Sequence, residues 1–130
     1  LLAADVDFFS IGTNDLTQYV MDAARGNANV AELAQGLSPA GLRMIKQTAV
    51  AAKEAGIWLG ICGEMAGNPL ATPLLLGLGL TELSMAAPSV PGVKAALRQW
   101  SLPEAEALAA EVLKLDSVTA VQSRLEAAKR

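Results

Sequence analysis

The apolar positions fall into three short runs separated by longer segments with helical spacing. Val6–Ile11 (VDFFSI) is aromatic-rich, ends at Gly12, and predicts a buried strand. Ile57–Cys62 (IWLGIC) predicts a second strand, and Glu82–Met85 (ELSM) a shorter third. Between the first two, residues 13–37 form a long polar connection rich in Gly and Asn, of a length that is usually functional in a compact domain. Its middle, Leu16–Ala24, has room for one or two helical turns. Ser38-Pro39 then reads as an N-cap followed by Pro in the first turn. Leu42, Ile45, Ala49, Ala52 and Ala55 continue at helical spacing, and Gly56 supplies the stop.

After the second strand come a polar turn, Gly63–Asn68, and a short apolar helix from about Pro69 to Leu78, ended by Gly79. A further helix is expected from about Pro91 to Trp100. Ser101-Leu102-Pro103-Glu104 is a capping box that opens another. Asp116/Ser117 opens the last, with Val118, Val121 and Leu125 as its apolar stripe. The order is β, α, β, α, β, α, α, α. Apolar strands alternating with helices predict an α/β fold with a parallel sheet covered by helices. Two architectures remain: a doubly wound sheet, or the last three βα units of a (β/α)8 TIM barrel, which normally needs about 250 residues. The βα units occupy about residues 5–100 and a helical tail about 101–130.

Composition narrows the function classes. Just over half of the 130 residues are apolar and only 18% are charged, a thin polar surface that predicts apolar contact with another chain or another segment. A net charge of −3 without a basic run argues against nucleic acid. One cysteine permits no internal disulfide, consistent with a reducing cytoplasm. The absence of histidine excludes histidine bases and ligands within this chain. The longest apolar run, Pro73–Leu80, is too short to span a bilayer. The chain opens without Met and runs straight into acidic residues, so it reads as a fragment without a signal peptide.

In both α/β architectures, active sites lie at the carboxyl ends of the strands. There the first strand delivers Thr13, Asn14 and Asp15, the second Cys62 and Glu64, and the third Ser84 and Met85. Asp15 beside the Asn14 amide suits a hard cation, because Mg²⁺ takes one or two carboxylates plus substrate oxygens. The same pair also suits a plain turn cap. Arg25 in a Gly/Asn-rich loop is either an anion fork or a solvated arginine. Cys62 is either a small buried apolar residue or a proton donor, since a thiol is mostly protonated at neutral pH. Neither common glycine-rich nucleotide loop is present.

Ser10–Tyr19 (SIGTNDLTQY), Arg25-Gly26-Asn27, Ser38-Pro39, Cys62–Gly67 (CGEMAG), Leu74–Leu80 (LLLGLGL) and Leu83–Met85 (LSM) occur in an order and spacing that resemble the C-terminal part of enzyme I of the bacterial phosphoenolpyruvate:sugar phosphotransferase system. The resemblance covers the chain from about residue 5 and weakens after Trp100. It implies a (β/α)8 barrel binding phosphoenolpyruvate and Mg²⁺. It also implies a phosphoryl group passed to a histidine of a separate N-terminal domain and on to the carrier HPr. By resemblance Asn14 and Arg25 bind substrate, Asp15 is a Mg²⁺ ligand, and Cys62 is the acid that protonates the methylene carbon of enolpyruvate. The family usually has Asp where this chain has Ala24, and often Asp where it has Asn68.

The fragment alone is expected to be inactive, to be cytoplasmic, and to associate into dimers or larger oligomers. A barrel fragment of the pyruvate phosphate dikinase or phosphoenolpyruvate synthase type, and a non-catalytic half-barrel assembly module, are the alternatives.

Overall fold

The computed structural model describes residues 2–21 and 37–130. Three parallel strands, β1 (Phe8–Gly12), β2 (Trp58–Cys62) and β3 (Glu82–Ser84), lie side by side in the order β1-β2-β3. The helices are α1 (Thr13–Met21), α2 (Pro39–Ala55), α3 (Thr72–Leu78), α4 (Val90–Leu97), α5 (Leu102–Val112) and α6 (Val118–Ala127), and a 3₁₀ turn at Ala87–Ser89 precedes α4. Sequential parallel strands joined through helices are the architecture of part of an α/β barrel.

Register explains how the sheet is used. Gly12, Cys62 and Ser84 pair across one row, Ile11, Ile61 and Leu83 across the next, and Ser10, Gly60 and Glu82 across a third. Because side chains alternate between faces, Ile11, Leu59 and Ile61 point into the helical layer and are buried. Phe8, Ser10, Trp58, Glu82 and Ser84 share the opposite, exposed face. β1 is therefore not the strand buried on both faces that its composition predicts: Phe8 is 47% exposed. Cys62 and its row neighbours stand at the strands' carboxyl ends.

The helical ends follow local chemistry. Ser38 accepts a hydrogen bond from the Gly41 N–H at 3.1 Å, with Pro39 opening α2. Gly56 closes the helix in the left-handed region (φ 69°), where a residue without Cβ is unstrained. Ser101 and Glu104 form the expected capping box, and Ser117 caps α6 by accepting from the Ala120 N–H. α1 starts without a loop, directly after Gly12, so Asn14 and Asp15 sit in a first helical turn and not in a connection ahead of Leu16. α3 begins at Thr72, three residues later than expected from Pro69. Hydrogen-bonded turns from Met65 to Thr72 occupy the intervening chain.

Leu74, Leu75 and Leu78 of α3 are completely buried and form the centre of the core with Leu42, Ile45, Ile61, Leu108, Val112, Val121 and Leu125. Gly77 sets the depth of the α3–α5 contact: a Cβ there would collide with the Ala105 backbone. The tail helix α5 thus packs directly on α3, while α2 packs on both β1 and β2. Arg43 ties α2 to the turn after α5 through the Leu115 carbonyl at 3.1 Å.

Candidate functional site

A cavity of about 510 Å³ opens at the carboxyl ends of the strands. Asn14 borders it from α1, Cys62, Gly63, Glu64 and Gly67 from β2 and the turn after it, and Ser84, Met85, Ala86 and Ser89 from β3 and the following 3₁₀ turn. The adjacency of the three strands brings these groups together, as their places in the sequence predict. Asn14 and Cys62, far apart along the chain, face one space.

The tip of β1 is fixed by a side chain. Thr13, at the first position of α1, is 2% exposed, and its hydroxyl donates to the carbonyl oxygen of Cys62 at 3.0 Å. Thr17 one turn on donates to the Thr13 carbonyl at 2.8 Å. Gly63 follows Cys62 at φ 105°, and a Cβ there would stand 2.5 Å from the Thr13 hydroxyl oxygen. Glycine meets both demands at once: the left-handed backbone and the close approach of α1.

Asp15 is exposed in the first turn of α1, where the helix dipole favours a carboxylate. Its Oδ2 lies back over Gly12, 3.2 Å from the position of a Cβ on that glycine. Asp15 adjoins the cavity through Asn14 and does not line it. Among the described residues no group of three or more Cys, Asp or Glu is placed to hold a metal ion. The donor set here is one carboxylate beside one amide. That fits a Mg²⁺ ion which keeps water and substrate oxygens and draws further ligands from elsewhere. It does not make a closed protein cage.

Cys62 is half-buried at the β2 end, with a free thiol. Glu64 is exposed on the cavity border. Arg25 and Ala24 lie outside the described residues. Asn68 anchors the turn after β2. Its Oδ1 accepts from the Leu70 N–H at 2.9 Å, while the Thr72 hydroxyl donates to its carbonyl at 3.0 Å. An amide oxygen and a carboxylate oxygen can both accept such a bond.

Sequence reasoning misses two contributors. Ser89 reaches the cavity because the chain after β3 turns tightly at Pro88, which places it beside Gly67. The Thr13–Cys62 hydrogen bond spans 49 positions and has no sequence signal beyond a threonine next to a strand end.

A model of the PEP-utilising enzyme PEP-binding domain matches residues 1–102. The chain belongs to the PEP-utilising enzyme family. It is 56% identical over 115 residues to a phosphoenolpyruvate-protein phosphotransferase of Haloferax volcanii, an alignment covering 88% of this chain and 20% of that protein. It is 50% identical over 121 residues to one of Bacillus sp. (strain S), covering 93% and 21%. It is 45% identical over 123 residues to a multiphosphoryl transfer protein of Escherichia coli O6:H1, covering 95% and 15%. The chain thus spans about a fifth or less of the length of the curated relatives it matches. Among the described residues no helix is long and apolar enough to cross a membrane.

Proposed function

We propose that this chain forms one side of the phosphoenolpyruvate site of an enzyme I-type phosphotransferase. Supporting this is one observation above all: Asn14 and Cys62, delivered by different strands, border the same cavity at the carboxyl ends of a parallel sheet. In this reading the Asn14 amide hydrogen-bonds phosphoenolpyruvate, and Arg25 pairs with its phosphate. Asp15 supplies one carboxylate to Mg²⁺, which neutralises phosphate charge when bound.

The phosphoryl group leaves phosphoenolpyruvate for a histidine outside this chain, which has none. The P–O bond to the enol oxygen breaks and a P–N bond forms, releasing the enolate of pyruvate. The Cys62 thiol then gives its proton to the methylene carbon, forming the third C–H bond of the methyl group and leaving a thiolate that recovers a proton from solvent. Ketonisation makes the transfer strongly downhill. A half-buried thiol facing a cavity suits this role, because a general acid must reach its target atom directly. The phosphohistidine passes its group to HPr, and the reaction is cytoplasmic.

The division of the site dictates the test. This chain alone should release no pyruvate from phosphoenolpyruvate with Mg²⁺ present, whereas a full-length phosphotransferase carrying it should do so with HPr phosphorylated. Turnover by the isolated chain would overturn the reading of a divided site. A full-length protein that binds phosphoenolpyruvate without transferring its phosphate would favour the non-catalytic module.

A further inference from the structure

The position of Cys62 depends on a residue from a different strand-helix unit. Cys62 is the last residue of the central strand, paired with Gly12 and Ser84, and beyond it the chain turns through Gly63 at φ 105°. We infer that Thr13 is a positioning residue for the Cys62 thiol. It acts by fixing the Cys62 carbonyl, and with it the backbone that aims the side chain at the cavity. The proposal rests on the reading of Cys62 as the proton donor and extends it to the residue that sets the donor's direction.

Three observations carry it. The Thr13 hydroxyl donates to the Cys62 carbonyl oxygen at 3.0 Å and is itself almost wholly enclosed, at 2% exposure. The donor side of this bond is therefore shielded from bulk water. Thr13 is in turn held from behind, since its own carbonyl accepts from the Thr17 hydroxyl at 2.8 Å, so the donor is anchored at both ends. Gly63 leaves open the space that the hydroxyl needs, and any larger residue there would fill the place where the two units meet. The same contact spaces Asn14, the next residue in α1, from Cys62. This hydrogen bond therefore adds to the Gly12–Cys62 strand pairing in setting the separation of the two groups assigned to substrate. A second methyl in place of the hydroxyl would keep the packing and lose the hold.

Cys62 is the only cysteine, so its modification by iodoacetamide reads this position alone. The rate is measured on the 130-residue chain and on its Thr13→Val and Thr13→Ser variants at one pH, beside their thermal melts. Losing one hydrogen bond of ordinary strength shifts the balance between the held and the released Cys62 backbone by about fivefold. Thr13→Val should therefore modify about fivefold faster while Thr13→Ser, which keeps the donor, stays close to the parent. A Thr13→Val rate equal to the parent's, or a Thr13→Ser rate as fast as that of Thr13→Val, would overturn the hold. Should Thr13→Val fail to fold, Thr13→Ser against Thr13→Ala decides it by the same ordering of rates. The alkylation rate is indifferent to whether Cys62 donates a proton. An unchanged rate removes the hold and leaves the proton-donor reading standing. A full-length Cys62→Ala protein with full turnover removes that reading and leaves the hold to be judged by rate.

Discussion

Phe8 and Trp58, paired in register at the start of β1 and β2, stack with ring centroids 4.4 Å apart and planes 11° from parallel. The pair stands on the sheet face turned away from the helices, and each residue is nearly half exposed. Two stacked aromatics are a large apolar area to leave in water. In a closed barrel this face is the packed interior. In the 130-residue chain on its own, it is an open apolar surface beside strand edges with no further strand among the described residues.

The isolated chain should therefore self-associate. Light scattering is expected to give a dimer or larger species at micromolar concentration, and Trp58→Ser should shift the distribution toward monomer. A parent chain that scatters as a clean monomer would show that the exposed aromatic face does not drive association.

Asn14 and Cys62 are assigned different parts of the reaction, and steady-state kinetics of the full-length protein separate them. General-acid groups contribute typically about 10²–10⁴-fold. Cys62→Ala should lower kcat by about 100-fold or more with KM for phosphoenolpyruvate little changed. Asn14→Ala should raise KM as well, because a ground-state hydrogen bond to substrate is lost. If Cys62→Ala instead raised KM at unchanged kcat, the thiol would be a binding group and not an acid.

These assignments differ in how far the sequence reveals them. Caps are local chemistry, so Ser38-Pro39, Gly56, Ser101–Glu104 and Ser117 mark helix ends that the structure keeps. Strand order and convergence follow from the alternation of elements, because adjacent βα units pack side by side. The start of α1 departs from expectation for a physical reason. Asn14 and Asp15 favour turns in isolation, yet the same groups are stabilised in a first helical turn, and only the strand before them decides which applies. β1 is less buried than its composition suggests because Phe8 and Ile11 look alike in composition but point to opposite faces, only one of which has a covering layer here. The Thr13 hold is invisible in one dimension, since it joins residues brought together only by strand pairing.

Gly77 should be the least replaceable residue of α3. Its α-carbon approaches the Ala105 backbone so closely that a single added methyl meets main chain, which cannot swing aside as a side chain does. Overpacking of this kind costs about 1–3 kcal/mol and occasionally more. Gly77→Ala should lower the melting temperature clearly even though alanine favours helix over glycine by about 1 kcal/mol. Gly92→Ala, where the nearest neighbour is a proline side-chain carbon at 3.2 Å, should cost much less. Equal effects from the two substitutions would mean that α5 shifts freely over α3.

Glu104 joins the tail's two ends electrostatically. Its Oε1 lies 2.6 Å from Arg130 Nη2, and its Oε2 accepts from the Ser101 hydroxyl and N–H at 2.6 and 2.9 Å. Arg130 also donates to the Gln99 carbonyl and lies over the Trp100 ring, 4.2 Å from its centroid. The Arg130 hydrogen bond first, and the two from Ser101 after it, hold the Glu104 carboxyl well below its ordinary 4.5, at about 2. A depressed carboxylate stabilises the folded state above its unfolded value and loses that contribution as pH falls through its folded one. The window is thus about pH 4.5 down to about 2. Glu104→Gln keeps a side chain able to complete the capping box but removes the charge. Its melting temperature should lie modestly below the parent's at pH 7, because both partners are partly exposed and solvent screens them. The difference should shrink through that acid window and shrink also in high salt. A gap between parent and variant that stays constant down to pH 2 would show that the Glu104 charge is not linked to folding.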